Sequence, residues 1–281
     1  MYATKRPLLK PIFILILAAF VFSACSGAGG AQNPNWPGVS AAGDVVYVAS
    51  GPSVLAYDVV EQTVAWTYPA GEERSAVQFH AAPSVVAGSV IFGDYGKASS
   101  LFNPRQIVSI YGVSDPPGSP SDWINDQLAT DKIIAPLMQV DNRAFVGTGN
   151  GYLLALDAES GEALWSDSFA TENPIWGPMA YADGLIYVAD MAGIIYAVEA
   201  ESGQENGRWT TDTSFIGGLT LDGDAIYAGG FNNKVYAFDR TSPGTELWTF
   251  DTVSGIWGAP AVADGRLFFW RYARKRLCGK C

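Results

Sequence analysis

The chain has 281 residues, 48% of them hydrophobic and 13% aromatic. Three bases lie in residues 1–25 and five in 271–281, so residues 26–270 hold all 28 acids against 9 bases, a formal charge of −19. Such a surface repels nucleic acid and anionic lipid headgroups, which excludes a nucleic-acid partner, and the length suits one large all-β domain or two ordinary ones.

Lys5, Arg6 and Lys10 precede an unbroken apolar run from Ile12 to Phe22, followed by Ser23-Ala24 and Cys25. A positive start, a short apolar run and small residues make a signal-peptide pattern over residues 1–25. As a helix the run reaches about 17 Å, short of the roughly 30 Å hydrocarbon core, so a permanent membrane span is not expected. Phe22-Ser23-Ala24-Cys25 resembles the bacterial lipobox, which implies that Cys25 is the lipidated N-terminus of the mature protein. An ordinary cleaved signal, with secretion, is the alternative. Residues 26–35, rich in Gly, Ala, Ser and Asn, read as a flexible tether.

From Trp36 to Trp270 the chain repeats itself. Short runs of β-formers carry an aromatic residue at Tyr47, Phe92, Phe145, Tyr187, Tyr227 and Phe268, spaced 45, 53, 42, 40 and 41 residues apart. A second unit follows: Asp58…Trp66, Asp157-x3-Gly161-x3-Trp165, Glu199-x3-Gly203…Trp209 and Asp239…Gly244…Trp248. A period of roughly 40 to 45 residues fits a propeller. Residues 175–211 show one repeat clearly. Pro178 to Tyr181, Leu185 to Asp190, Ile194 to Glu199 and Gly207 to Thr211 are four strands separated by turns at Asp183-Gly184, Gly193 and Gly203. The Asp of each unit caps backbone N–H groups of the following turn, Gly reverses the chain, and Trp, as Trp165 on the outer strand, offers a flat face to the neighbouring blade. The first repeat has Gln62 where others have Gly. The second repeat is irregular from Gly96 to Gln127, with Gln106 to Tyr111 as its expected third strand and Trp123 as a displaced docking residue. Such an insertion is either a binding loop or neutral loop growth.

Ala155-x-Asp157-x3-Gly161-x3-Trp165, together with Asp183-Gly184-x2-Tyr187-Val188, resembles the pyrroloquinoline-quinone-like (PQQ-like) β-propeller repeat over roughly residues 36–269. The resemblance implies a ring of seven or eight four-stranded blades. Some members of that family are quinoprotein dehydrogenases. Others are scaffolds, such as the lipoprotein of the outer-membrane β-barrel assembly machine, which binds a partner protein. The dehydrogenases carry a catalytic Asp, a calcium site and often adjacent cysteines, whereas here no Cys lies between Ser26 and Leu277.

The expected fold is therefore all-β: a β-propeller of four-stranded antiparallel blades, with five repeats and the start of a sixth in residues 36–270. Ile256-Trp-Gly-Ala-Pro260 and Asp264-Gly265 open the sixth repeat, and residues 271–281 are a basic, non-propeller tail. The switch in composition at Arg271 suggests a truncated or frame-shifted member of a longer family. Cys278-x-x-Cys281 has no second ligand pair for zinc, and one histidine, His80, permits neither a His-rich metal site nor a Ser–His–Asp triad. The recurring Ile175-Trp176 and Ile256-Trp257, with Phe215 and Phe79 at matching positions, are candidates for an aromatic ligand rim at the channel mouth, packing between blades being the competing use.

These features point to a non-catalytic binding or scaffolding module at the cell envelope. Its expected partner is an envelope protein, the membrane is reached through a lipid anchor, and no cofactor is expected, PQQ included. The alternatives are a PQQ- or calcium-dependent quinoprotein oxidoreductase and an extracellular sugar- or peptide-binding protein.

Overall fold

The computed structural model describes residues 38–70, 77–98 and 106–270. The signal segment, Cys25, the tether, Trp36 and the basic tail with Cys278 and Cys281 lie outside these residues. All regular structure among the described residues is β. No helix among them is long and apolar enough to cross a membrane.

Five four-stranded antiparallel sheets follow one another along the chain. Sheet one comprises β1 (Gly38–Ala42), β2 (Val45–Ser50), β3 (Ser53–Asp58) and β4 (Thr63–Tyr68). Sheet two is built from β5 (Ser84–Val86), β6 (Ser89–Gly93), β9 (Ile110–Ser114) and β10 (Trp123–Asn125), with a hairpin of β7 (Lys97–Ala98) and β8 (Gln106–Ile107) inserted between its second and third strands. Sheet three runs through β11 (Met138–Val140), β12 (Arg143–Gly147), β13 (Tyr152–Asp157) and β14 (Phe169–Ala170). Sheet four has β15 (Ala180–Ala182), β16 (Leu185–Ala189), β17 (Ile194–Glu199) and β18 (Glu205–Thr210). Sheet five has β19 (Leu219–Asp222), β20 (Ala225–Gly229), β21 (Lys234–Asp239) and β22 (Glu246–Asp251). A two-stranded sheet, β23 (Ala261–Ala263) and β24 (Arg266–Phe268), opens a sixth blade. This is the repeating architecture of a β-propeller.

Two details correct the sequence reading. The apolar run Gln106 to Tyr111 is split: its first two residues belong to the inserted hairpin, and the third strand of blade two is β9, paired Ile91 to Gly112 with β6. Trp165 does not sit on a regular outer strand. Only a bridge between Leu156 and Ala163 holds that stretch before β14 begins.

The turns explain why the strands reverse where they do. In blades two, four and six the first and second strands are joined by pairs of left-handed residues, such as Asp183 (φ 51°) and Gly184 (φ 79°), which suit tight hairpins. Gln62 takes φ 57° in the place that Gly161 (φ 71°) and Gly203 (φ 72°) fill in other blades.

The core lies between sheets. Because side chains alternate across a strand, each central strand feeds two cores. In β16, Ile186 and Val188 pack toward blade three with Phe145 and Leu153, while Tyr187 and Ala189 pack toward blade five with Ile226 and Ala228. Equivalent clusters join blade one to two around Phe79 and Phe92, and blade two to three around Ile91 and Val146. A strand buried on both faces reads as a continuous apolar run, as Leu185 to Ala189 does.

Candidate functional site

The two recurring sequence units meet in space. Tyr47 contacts Trp66, Phe145 contacts Trp165, Tyr187 contacts Trp209 and Tyr227 contacts Trp248, with ring centroids 5.9–6.2 Å apart. Blades one, three, four and five thus each brace their own tryptophan from the second strand. The indole then reaches one blade forward. Trp66 Nε1 donates to Asp115 Oδ1 (2.6 Å), Trp123 to the Ala158 carbonyl (3.1 Å), Trp165 to the Ala200 carbonyl (3.2 Å) and Trp209 to the Asp239 carbonyl (3.1 Å). Tyr47 donates its hydroxyl to the other oxygen of Asp115. Gly161 and Gly203 lie directly beneath the rings of Trp123 and Trp165, where a Cβ would overlap the indole. Glycine there serves the approach of the preceding blade as well as the turn.

The acidic members of the unit shape the turns. Asp58 Oδ1 accepts from the N–H groups of Val60 and Glu61, and Asp157 Oδ1 from those of Glu159 and Ser160. Asp239 Oδ1 accepts from the hydroxyl and N–H of Thr241. The Ser160 N–H holds the Asp157 carboxyl below the usual carboxylate range. Glu199, one methylene longer, instead accepts from the Ser202 hydroxyl at 2.6 Å. Trp248 has the same bracing partner as the other tryptophans but is 41% exposed. With Thr249, Phe250, Leu267 and Phe269 it lines an open cavity of about 470 Å³ beside the two-stranded sheet.

The expected aromatic rim needs correction. Phe79 and Phe215 are each only 1% exposed and belong to inter-blade cores. Their counterparts in the other repeats are Ile133, Ile175 and Ile256, all fully buried, rather than Trp176 and Trp257. A one-residue offset in alternation moves a side chain from core to surface. The register can be read from a recurring threonine: Thr171, Thr211 and Thr252 each bond through the hydroxyl to the carbonyl two residues on, and the buried residue follows four positions later. The second strand adapts to what it receives. Gly93, Gly147 and Gly229 each face the branched side chain of Ile133, Ile175 and Ile256, where a Cβ would collide. Ala49 and Ala189 share cores with the unbranched Cβ of Phe79 and Phe215.

Trp176 and Trp257 remain at the surface, 40% and 51% exposed. They lie on the upper face, where second-to-third strand turns meet the loops between blades. The loops there touch backbone to backbone. A Cβ on Gly177 would lie 2.8 Å from the Gly218 nitrogen, and one on Gly217 would lie 2.9 Å from the Gly258 Cα. Trp176, Ile216 and Trp257 therefore occupy the same position on three successive loops, and Phe231 adds its ring 5.0 Å from Trp257.

Two fully buried carboxylates, which the sequence reading missed, stand at the ends of second strands. Asp94 accepts from Gly96 N–H (2.8 Å), Ser109 N–H (3.2 Å) and the Tyr111 hydroxyl (2.9 Å). Asp190 accepts from the N–H groups of Ala192, Ile194 and Asn173 and from the Tyr196 hydroxyl. Burial raises the Asp94 carboxyl above its ordinary range, and the hydrogen bonds oppose that rise. The Asp94 oxygens serve the blade's own turn and tyrosine, and those of Asp190 serve these and the Asn173 N–H of the loop entering the blade. The described residues contain no group of three or more His, Cys, Asp or Glu able to hold a metal. These residues do not fit a calcium-held quinone.

His80 is half-buried with its ring 5.2 Å from Tyr95, and burial lowers its pKa below the usual value of 6.5. Its NMR titration, unambiguous because it is the sole histidine, is expected to have a midpoint below that value. The unfolded chain then takes up the proton first. The stability this gives is full above about 6.5 and is lost as pH falls through the folded value. In His80→Phe that part of the acid dependence disappears, as denaturant titrations across this range will show.

The family model described as Outer membrane protein assembly factor BamB matches residues 28–204 and 191–279. The chain belongs to that family. The crystal structure of BamB from Moraxella catarrhalis aligns with a TM-score of 0.60 at 17% identity, over 83% of this chain and 68% of that one. The computationally designed Ika8 protein aligns with a TM-score of 0.64 at 13% identity, over 84% of this chain and 70% of that one. These likenesses establish the propeller fold and the PQQ-like repeat of the BamB family. No curated protein matches the chain significantly.

Proposed function

We propose that this chain is a non-catalytic, protein-binding propeller that works at the cell envelope in the assembly of outer-membrane proteins. The observation that carries the reading is membership of the BamB family over most of the chain. The side-chain chemistry agrees with it. The recurring Asp and Trp and the buried carboxylates are engaged in turns and blade contacts, which leaves the loops of the upper face as the place for a partner. In this reading residues 1–25 export the chain, Cys25 carries the lipid that holds it to the membrane, and residues 26–35 give the propeller reach. Residues 36–270 form the binding domain.

Depletion of the protein from its host tests this function. Amounts of outer-membrane β-barrel proteins are expected to fall while inner-membrane proteins hold steady. Unchanged barrel levels, or a saturable absorbance change when the purified chain is titrated with PQQ and calcium, would contradict the reading.

A further inference from the structure

We infer that the row Trp176, Ile216 and Trp257 is the docking site for an extended segment of a partner protein, one in which apolar residues alternate with Arg or Lys. The inference rests on the protein-binding reading above and assigns it a surface and a partner chemistry.

The row is held in place from below. The residue before each member, Ile175, Phe215 and Ile256, is buried between blades with 0%, 1% and 0% exposure. Alternation then forces the next side chain outward. Gly177 and Gly217 bring neighbouring loops into backbone contact at Gly218 and Gly258, and Gly218 in turn makes room for the Pro178 ring. Two exposed tryptophans and the half-buried Ile216 thus stand at equivalent positions on fixed backbone, and Phe231, 37% exposed, extends the patch beside Trp257. Exposed tryptophan on a preordered backbone costs little further entropy on binding, which is the character of an interface anchor.

Charge selects the occupant. The loops and turns around the row carry Glu172, Asp212 and Asp251 against Lys234 and Arg208, the latter paired with Glu172 at 3.4 Å, within a body of formal charge −19. An Arg or Lys of the partner gains on both counts: attraction to these carboxylates and stacking on the face of a tryptophan. A saccharide would need convergent neutral hydrogen-bonding groups beside the rings. The amide nitrogen of Asn232, beside Phe231, is committed to Asp212 Oδ1 at 3.0 Å and the Tyr236 hydroxyl at 2.6 Å, and the unpartnered Asn232 Oδ1 and Ser254 Oγ are buried rather than presented at the surface.

The test is calorimetric titration of the full chain with a capped synthetic peptide of alternating Arg with Leu and Phe. Saturable binding is expected, weakened by rising ionic strength. Trp176→Ala and Trp257→Ala should each weaken it about tenfold, a shift typical of interface anchors. Trp248→Ala, which removes an exposed tryptophan at the open edge of blade five, leaves it unchanged. Absence of binding would overturn the inference. So would equal weakening by Trp248→Ala, equal affinity for the same peptide with Glu replacing Arg, or displacement of the peptide from Trp176 and Trp257 by an uncharged oligosaccharide. If the peptide fails to bind while depletion still lowers outer-membrane barrel levels, this surface assignment fails and the protein-binding function stands.

Discussion

Trp209→Ala lowers the free energy of unfolding by about 3–5 kcal/mol, the range for deleting a fully buried large aromatic side chain. Trp248→Ala, in the corresponding tryptophan of the next repeat, costs no more than about 1 kcal/mol, chiefly its ring contact with Tyr227. Both rings are braced by the second-strand tyrosine of their own blade, although Trp209 pairs with Ile195 and Trp248 with Ala237. They differ in what lies ahead. Trp209 is 1% exposed, packed against blade five and bonded to the Asp239 carbonyl, whereas Trp248 is 41% exposed. Urea titration of both variants measures the difference. Equal losses would mean that the contact with the next blade contributes little and that bracing by the second strand dominates.

Gly203→Ala is the second large effect. At φ +72° an alanine is strained by about 1–2 kcal/mol. Its Cβ would also stand 2.7 Å from the Trp165 ring, and overpacking adds about 1–3 kcal/mol. The two parts separate in a double-mutant cycle. In a Trp165→Leu background the overpacking is relieved, and the added cost of Gly203→Ala falls to the backbone strain alone. An unchanged cost in that background would show that Trp165 does not press on the turn.

Local chemistry made the strands legible. Asp183-Gly184 needs no tertiary context to be a tight turn, and the β-rich runs around it become β15, β16 and β17 with small shifts at their ends. The spacing of aromatic and Trp-bearing units gave the blades. Less visible was anything that depends on which side of a strand faces which neighbour. Phe79, Phe215, Trp176 and Trp257 are all large and apolar in similar company. Only the bridge of Phe79 to Gly51, and that of Ile175 to Asp190, fixes which ones point inward. Likewise Ile107 to Tyr111 offers no breaking residue, yet pairing of Lys97 with Ile107 removes the start of that run into a separate hairpin. Asp94 and Asp190 look like ordinary turn residues. Their burial follows from tyrosines 17 and 6 positions later whose hydroxyls reach back to them. Small-then-polar pairs at the ends of second strands, Gly93-Asp94, Gly147-Thr148 and Ala189-Asp190, were the available signal.

The most direct test of the protein-binding account is site-specific photocross-linking in the native envelope. A photoreactive amino acid replaces Trp176 on the upper face in one strain and Val60, 63% exposed on the opposite face, in another. The account predicts a discrete protein adduct from position 176 and none from position 60. Adducts of equal strength from both positions, or no protein adduct from position 176, would contradict it.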